Sequence, residues 1–418
     1  MLGGEIMNSK KKILSDSIWS VAGLVLMNVT LQFAVYPLWE RKAGEATLGN
    51  ILYLLSLMNV FSVSMGISVS YARLKNSTEG KTSNVPYIVI LGGASILAFV
   101  AAIVISFIGG VSLSLLETVI FGIVMCVTMW RYYADVEYKL SLNYKSFFLY
   151  YLFISVGYGI GVALFYLTGL WPLTLLMGEI FGLAYVFLRG KIFRIDEGIA
   201  GSDVGDIIKL VLVLFSSEAL STLVFNADRI MLKTLIDEVA VTDYYLASLL
   251  GKTIALLTVP LGGVLVGYLS KYNGDFKLKG MNLITALSLI IVIFATLACT
   301  VGSYIIIPIL YPDQFNDIKQ YFMWTNLSQV LYFIANVITV ILLRFANSRY
   351  QIYINAVYAV SFVGICIPFT VYRGFDGFCF GLVLTCTIRF LVSLLLGYYS
   401  TLKKRRVKEV NAGGENED

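Results

Sequence analysis

Ionisable side chains that lie deep inside long apolar stretches are the residues of this sequence best suited to chemistry. Four residues meet this description, and they are Glu179, Glu218, Lys252 and Arg389. A charged side chain near the centre of a bilayer costs at least about 2.5–3.5 kcal/mol, so it normally faces a cavity or a partner. The two cations would offer positive charge to a phosphate, while a carboxylate could titrate or bind a cation. These four residues are therefore the candidate substrate-binding residues.

A structural ion pair is the alternative interpretation for two of the four. Glu218 and Lys252 lie at equal depth on consecutive predicted helices, so they could attract each other and bind nothing else. Arg389 has no carboxylate in its own apolar stretch, and its guanidinium cannot lose its proton, which favours a place in a water-filled cavity. There it could hold a pyrophosphate headgroup through two parallel hydrogen bonds. For Glu179, and for Glu218 with Lys252, the structural and functional interpretations both stay open.

A second group of polar residues ranks lower, and it consists of Asp228, Arg229, Arg131, Asn28 and Gln32. The Asp-Arg pair falls at the outer end of a predicted helix, where a role in positioning the helix is the simpler explanation. Arg131 falls near a cytoplasmic end and could extend its guanidinium to the interface. The amides could line a sugar-conducting cavity or join helices. The same two roles apply to three amides in the second half of the chain, Asn326, Gln329 and Asn336.

Composition excludes several classes of function. The chain has 418 residues, of which 58% are apolar and 14% are charged, whereas soluble globular proteins are about 45–50% apolar and about 25% charged. This excludes a soluble enzyme, a disordered chain and a nucleic-acid-binding domain. The chain has no histidine, which excludes histidine-dependent metal sites and Ser-His-Asp or Cys-His catalysis. Its five cysteines form no CxxC pair, so we expect neither a metal site nor another cofactor.

Long apolar stretches must form the elements that position these residues. At about 20 residues for each membrane helix, the apolar residues suffice for about twelve spans. The stretches are continuous rather than alternating, which indicates helices and not a barrel. The predicted spans are 14–36, 48–71, 85–108, 114–133, 147–168, 171–189, 207–228, 243–268, 282–309, 319–343, 352–371 and 378–400. Very short turns at 109–111 and 169–170 predict two helical hairpins, and Pro260 predicts a kink in the eighth span.

Positive charges indicate how the chain crosses the membrane. Lys and Arg concentrate in the N-terminal segment, in every second loop and in the C-terminal segment. The intervening loops hold few of them, namely Arg41, Lys42, Arg229, Lys233 and Arg373. Because cytoplasmic loops carry the excess of Lys and Arg, we predict that both termini are cytoplasmic and that the number of spans is even.

The order of features in the first half of the chain recurs in the second half. The segments 16–75 and 206–271 each contain a polar helix start, a span, a short outer loop and a second span that ends near a basic residue. Many transporters are built from such repeats, with the substrate path between the halves. We therefore predict an N-terminal lobe of six helices (1–190), a cytoplasmic linker (191–206), a C-terminal lobe of six helices (207–402) and a cytoplasmic tail that is basic and then acidic (403–418).

The stretch from Ser216 to Leu232, which ends in an Asp-Arg pair followed by apolar residues, resembles the seventh span of bacterial polysaccharide flippases. The Tyr-rich helix start at 243–247 and the stretches 17–36 and 45–73 also resemble that family. The family comprises the O-antigen and capsule repeat-unit translocases (Wzx-type). It belongs to the multidrug/oligosaccharidyl-lipid/polysaccharide exporter superfamily, which includes the MATE proteins. The resemblance covers the whole chain in topology. At the level of the residues themselves it covers only two stretches.

This resemblance implies an all-α polytopic membrane protein with about 12 transmembrane helices in two six-helix lobes around a central cavity, as in MATE proteins. It implies a flippase, not an enzyme, that carries an undecaprenyl-pyrophosphate-linked oligosaccharide repeat unit across the bacterial cytoplasmic membrane by alternating access. H⁺ or Na⁺ is the candidate coupling ion. The expected partners are the lipid-linked oligosaccharide, membrane lipids, and the polymerase and glycosyltransferases of the same pathway.

Two other functions stay open at this point. The first is a MATE-like antiporter of drugs or small-molecule cations. The second is a membrane polysaccharide polymerase or ligase, an enzyme that would need a large outer loop for its reactive residues. The longest predicted outer loops, 37–47 and 229–242, are short for that purpose.

Overall fold

Helices account for every regular element in the described part of the chain. The computed structural model describes residues 18–78, 83–194, 204–256, 278–345 and 349–414. No strand occurs within these ranges. The protein is therefore all-α, as its continuous apolar stretches predict.

The helices of the N-terminal half are α1 (Ile18–Ala43), α2 (Glu45–Ser77), α3 (Val85–Ile108), α4 (Leu115–Ala134), α5 (Val136–Ser141), α6 (Tyr144–Thr168), α7 (Pro172–Arg189) and α8 (Val204–Leu235). Those of the C-terminal half are α9 (Glu238–Leu256), α10 (Leu278–Leu310), α11 (Phe315–Ile318), α12 (Phe322–Phe345), α13 (Arg349–Ser361) and α14 (Ile367–Gly414). Three π-helical segments interrupt or join them, at Thr30–Val35, Asn59–Val63 and Phe362–Cys366.

Ten helices among the described residues are long and apolar enough to cross a membrane. One of them, Arg349–Lys403, has 55 residues and would be about 80 Å long if straight, whereas the apolar core of a bilayer is about 30 Å thick. The chain instead folds back at Gly374, whose φ of 59° and ψ of −136° lie in a region that glycine alone adopts readily. Arg389 after this turn hydrogen-bonds to Asn355 before it, so the segment provides two spans.

The eighth predicted span, 243–268, begins in α9. Its remainder, together with the kink predicted at Pro260, lies outside the described residues. When this span and the hairpin at Gly374 are counted, the helices agree with the prediction of about twelve spans.

Both predicted helical hairpins are present, and the second one positions a candidate residue. The α6–α7 pair packs very closely: a Cβ added at Gly161 would lie 2.5 Å from the Thr174 Cα, and one at Gly157 would lie 2.6 Å from the Met177 carbonyl oxygen. Small residues allow such close approach of membrane helices. The tight contact holds the part of α7 that carries Glu179.

A capping box begins α4. The Ser114 Oγ accepts a hydrogen bond from the Glu117 backbone N–H at 3.2 Å, and the Glu117 Oε2 accepts one from the Ser114 backbone N–H at 2.9 Å. This arrangement satisfies two N–H groups that have no partner within the helix. Glu117 therefore has a local structural role.

The chain forms two compact units, Met1–Lys233 and Thr234–Asp418. The first unit holds α1 to α7 and nearly all of α8, and the second holds the remaining helices. Residues 195–203 of the predicted linker lie outside the described residues. The predicted division into lobes at 191–206 stays a prediction.

Candidate functional site

Arg389 lies in a cage formed by three helices of the second unit. Its side chain on α14 is buried, with 3% exposed. The Nη2 donates hydrogen bonds to Asn336 Oδ1 on α12 at 2.7 Å and to Asn355 Oδ1 on α13 at 3.0 Å. The Arg389 Cζ lies 4.1 Å from the ring centroid of Tyr332 and 4.9 Å from that of Tyr358, both within cation–π distance. We call these five residues the Arg389 cage.

The guanidinium of the Arg389 cage retains donors that nothing satisfies. Its Nε and Nη1 have no hydrogen-bond acceptor among the described residues. No carboxylate forms an ion pair with Arg389 in that part of the chain. A buried donor without a partner costs free energy, and a guanidinium keeps its charge. The cage can therefore offer two N–H donors of a charged group to an anion.

An ion pair joins Arg131 on α4 to Glu179 on α7 in the first unit. The Arg131 Nε lies 2.7 Å from the Glu179 Oε2, and the two side chains are 2% and 4% exposed. The Arg131 Cζ also lies 3.6 Å from the ring centroid of Tyr132. The prediction that Arg131 extends to the interface is wrong, because the helices bury it beside its counter-ion. Glu179 has a structural partner that the sequence did not identify.

Further polar groups surround this ion pair. The Tyr150 hydroxyl on α6 donates to the Arg131 carbonyl oxygen at 2.9 Å, and the Tyr151 hydroxyl donates to the Asp135 Oδ2 at 3.1 Å. Asp135 is buried, and its Oδ1 and the Arg131 Nη1 make no hydrogen bond within the described ranges. The network links α4 to α6 and α7.

Glu218 and Lys252 belong to different units. Glu218 on α8 is half-buried and forms neither an ion pair nor a hydrogen bond with the described residues of its own unit. Lys252 on α9 is buried, and its Nζ lies 4.8 Å from the ring centroid of Tyr244. Their ion pair stays a prediction.

The lower-ranked candidates make local contacts. Asp228 on α8 is buried, and its Oδ1 accepts a hydrogen bond from the backbone N–H of Arg229 at 2.8 Å, while Arg229 itself is half-buried. Asn28 on α1 donates from Nδ2 to the Leu24 carbonyl oxygen at 2.9 Å. Gln32 lies half-buried in the π-helical segment of α1. A role for any of the four in substrate binding stays a prediction.

Two amides of the second unit join helices. The Asn326 Oδ1 on α12 accepts from the Gly251 backbone N–H on α9 at 2.9 Å, and its Nδ2 donates to Ser303 Oγ on α10 at 3.2 Å. The Gln329 Nε2 donates to the Tyr244 hydroxyl at 2.7 Å. The helix-joining interpretation therefore applies to Asn326 and Gln329.

The sequence interpretation missed several residues of these two clusters. Asp135 follows Arg131 by four residues, and Tyr332 precedes Asn336 by four, so each pair lies on one helix face. This spacing could have identified Asp135 and Tyr332. Asn355 carries no comparable signal, because its contact with Arg389 depends on how the hairpin at Gly374 aligns α13 with α14.

Comparison with known proteins adds the fold family. No protein-family model and no curated protein sequence matches the chain. A structure of the lipid II flippase MurJ, in an inward closed conformation, is similar over 92% of this chain and 89% of its own, with a TM-score of 0.71 and 16% identity. An inward-facing multidrug resistance MATE family transporter of the MOP superfamily is similar over 93% and 99%, with a TM-score of 0.63 and 13% identity.

A third structure, the bent form of the MATE transporter VcmN from Vibrio cholerae, is similar over 94% of this chain and 97% of its own. Its TM-score is 0.63 and its identity is 12%. At these identities the similarity establishes the fold. The MATE-like fold that the family resemblance implies is confirmed.

Proposed function

We propose that the protein is a flippase that moves a lipid-linked (undecaprenyl-pyrophosphate) oligosaccharide repeat unit across the bacterial cytoplasmic membrane by alternating access, for synthesis of a surface polysaccharide. The observation that carries this proposal is the Arg389 cage. Arg389 is buried and forms no ion pair with a carboxylate of the described residues, which suits a substrate that carries phosphate charge. The similarity in fold to a lipid II flippase supports the same class of substrate.

In this proposal the other candidate residues have distinct roles. Arg389 binds the pyrophosphate, and Lys252 supplies a second positive charge to it. Glu218, which has no ion pair within the described part of its unit, is the carboxylate that takes up the coupling H⁺ or Na⁺. Both termini face the cytoplasm, where the glycosyltransferases of the pathway would supply the substrate. The polymerase would receive it on the outer side.

Polymer display on the surface of a bacterium that lacks its own flippase tests the proposal. The unaltered protein should restore display. Arg389→Lys keeps the charge but loses the planar fork, so it should retain partial display, and Arg389→Gln should retain little. Arg373→Gln is the matched control, because Arg373 is exposed at the turn of the same hairpin and should leave display unchanged.

Protein level in the membrane must be measured alongside display. If Arg389→Gln supports full display at normal abundance, the cage does not bind the substrate. If display falls only as abundance falls, Arg389 has a structural role.

The similar MATE structures favour one rival, an antiporter of drugs or small-molecule cations. A cationic substrate needs a buried carboxylate that is not already paired. Glu179 does not meet this requirement, because Arg131 neutralises it. Glu218 is half-buried and has no ion pair within the described part of its unit, so it is the better candidate. Resistance to cationic dyes that rises with expression and falls in Glu218→Gln, without any effect on polymer display, would favour the antiporter.

A further inference from the structure

The two asparagines of the Arg389 cage occupy one of the two nitrogens that a bidentate anion needs on either edge of the guanidinium. A guanidinium binds a two-oxygen anion along one edge, either through Nε and Nη2 or through Nη1 and Nη2. Both edges share Nη2. In the Arg389 cage, Nη2 donates to Asn336 and Asn355, while Nε and Nη1 have no acceptor among the described residues. Two amide oxygens therefore accept hydrogen bonds from the shared nitrogen, and each edge retains one donor, Nε or Nη1, without an acceptor among the described residues.

An amide oxygen is a weaker acceptor for a guanidinium than a phosphate oxygen. Hydrogen bonds with one ionised partner are already about twice as strong as those between neutral groups, and a guanidinium–phosphate pair adds a second parallel bond and the attraction between opposite charges. The rings of Tyr332 and Tyr358, with centroids 5.4 Å apart and planes inclined at 66°, contact the guanidinium within cation–π distance. A phosphate that forms hydrogen bonds to the guanidinium must meet its N–H groups, which point outward in the guanidinium plane. A phosphate that displaces one asparagine would gain two charge-assisted hydrogen bonds, one to Nη2 and one to a nitrogen that now has no acceptor.

Asn355 is the asparagine placed to leave. Its hydrogen bond to Nη2 is the longer of the two, 3.0 Å against 2.7 Å. Its side chain is exposed, whereas Asn336 is half-buried on α12. Asn355 therefore lies at the surface of its unit, and its movement would leave no gap in the packed interior.

We infer that the Arg389 cage is a phosphate subsite in which Asn355 acts as a displaceable placeholder for the phosphate. The subsite accepts a phosphoryl anion along one edge of the guanidinium, and Asn355 releases Nη2 as the anion binds. The inference rests on the proposed function for the source of the anion, which is the pyrophosphate of the lipid-linked substrate. The geometry of the cage applies equally to a free pyrophosphate or to the phosphate of a membrane lipid.

Two substitutions of Asn355 separate a placeholder from an ordinary ligand contact. Asn355→Leu removes the competing oxygen, so the full-length protein in nanodiscs of neutral lipid should bind undecaprenyl pyrophosphate more tightly, by up to about tenfold. Asn355→Asp puts a carboxylate on Nη2, so it should weaken binding by at least about tenfold and raise the melting temperature of the empty protein. Gln351→Leu, one turn earlier on the exposed side of α13, is the matched control and should change neither property.

Weaker binding by Asn355→Leu, with the melting temperature unchanged, would show that Asn355 contacts the ligand and would overturn the inference. Unchanged binding by Asn355→Asp would overturn it as well. Titration with inorganic pyrophosphate, and a parallel series in nanodiscs containing phosphatidylglycerol, identify the source of the anion. In each series the inference is supported if Asn355→Leu binds most tightly, the unaltered protein less tightly and Asn355→Asp least tightly.

The outcomes also separate this inference from the proposed function. If the order of affinities holds but Arg389→Gln leaves polymer display intact, the subsite stands and the flippase proposal fails. If display depends on Arg389 but Asn355→Leu binds more weakly, the flippase proposal stands and the placeholder is refuted.

Discussion

Removal of one member of the Arg131–Glu179 ion pair should destabilise the protein far more than removal of both. At an effective dielectric constant of about 20, unit charges 2.7 Å apart attract by about 6 kcal/mol. The burial of each charge costs several kcal/mol, which offsets most of that attraction. The intact pair therefore contributes little net stability. A single charge left behind in the same place has a burial cost with no compensation.

The two single substitutions should also differ from each other. Glu179→Gln leaves a buried guanidinium without its counter-ion, and the guanidinium cannot lose its charge. The free energy of unfolding should fall by about 3–5 kcal/mol. Arg131→Met leaves a buried carboxylate without its counter-ion. Because the carboxylate can take up a proton and become neutral, this substitution should lower the stability by less. The double variant leaves no charge and should be the most stable of the three.

Thermal unfolding of the purified protein in detergent, with membrane abundance measured in parallel, provides the assay. The unaltered protein should have the highest melting temperature. The double variant should come next, then Arg131→Met, and Glu179→Gln should have the lowest. Asp206→Asn is the control, because its pair with Lys209 is 3.2 Å long and exposed and should contribute almost nothing. Additive effects of the two substitutions, within about 0.5 kcal/mol, would refute the coupling.

Three further predictions concern the fold. Gly161→Val would bring a Cβ within 2.5 Å of the Thr174 Cα and should lower the melting temperature sharply, whereas Gly159→Val, whose Cβ would meet no atom within 4 Å, should not. In Gly374→Ala the alanine must adopt a φ of 59°, which costs about 1–3 kcal/mol and should lower the melting temperature. Gly364→Ala, whose Cβ would meet no atom within 4 Å, should not lower it. Reporter fusions in three segments should all report the cytoplasmic side, and a periplasmic signal at any of them would contradict the orientation. The fusion sites are Lys81, Lys191 and Lys408.

The positions of the helices could be predicted because hydropathy is a local property. The hairpin α6–α7 follows from two apolar stretches and a short turn, and its existence needs no knowledge of neighbouring helices. The turn at Gly374 illustrates the limit. Sequence divided the segment into spans 352–371 and 378–400, but the alignment of the two arms depends on how one glycine bends the chain.

The partners of the buried charges could not be predicted in the same way. Arg131 and Glu179 lie 48 residues apart, and depth along a helix does not determine which helices are neighbours. Sequence placed Arg131 near a helix end and favoured the interface, because a long side chain can extend that far. The packing of α4 against α7 instead buries it with a carboxylate. For Arg389 the sequence showed only that its own span lacks a carboxylate. It did not identify the amide acceptors, Asn336 and Asn355, which lie on two other helices.

Transport of a labelled substrate by the purified protein tests the central claim most directly. Liposomes would contain a fluorescent undecaprenyl-pyrophosphate-linked oligosaccharide in both leaflets, and a reagent that cannot cross the membrane would quench the outer leaflet. With the protein present, an imposed H⁺ or Na⁺ gradient should change the fraction that is quenched, and Arg389→Gln should abolish the change. A quenched fraction equal to that of protein-free liposomes, from folded protein under both gradients, would contradict the account.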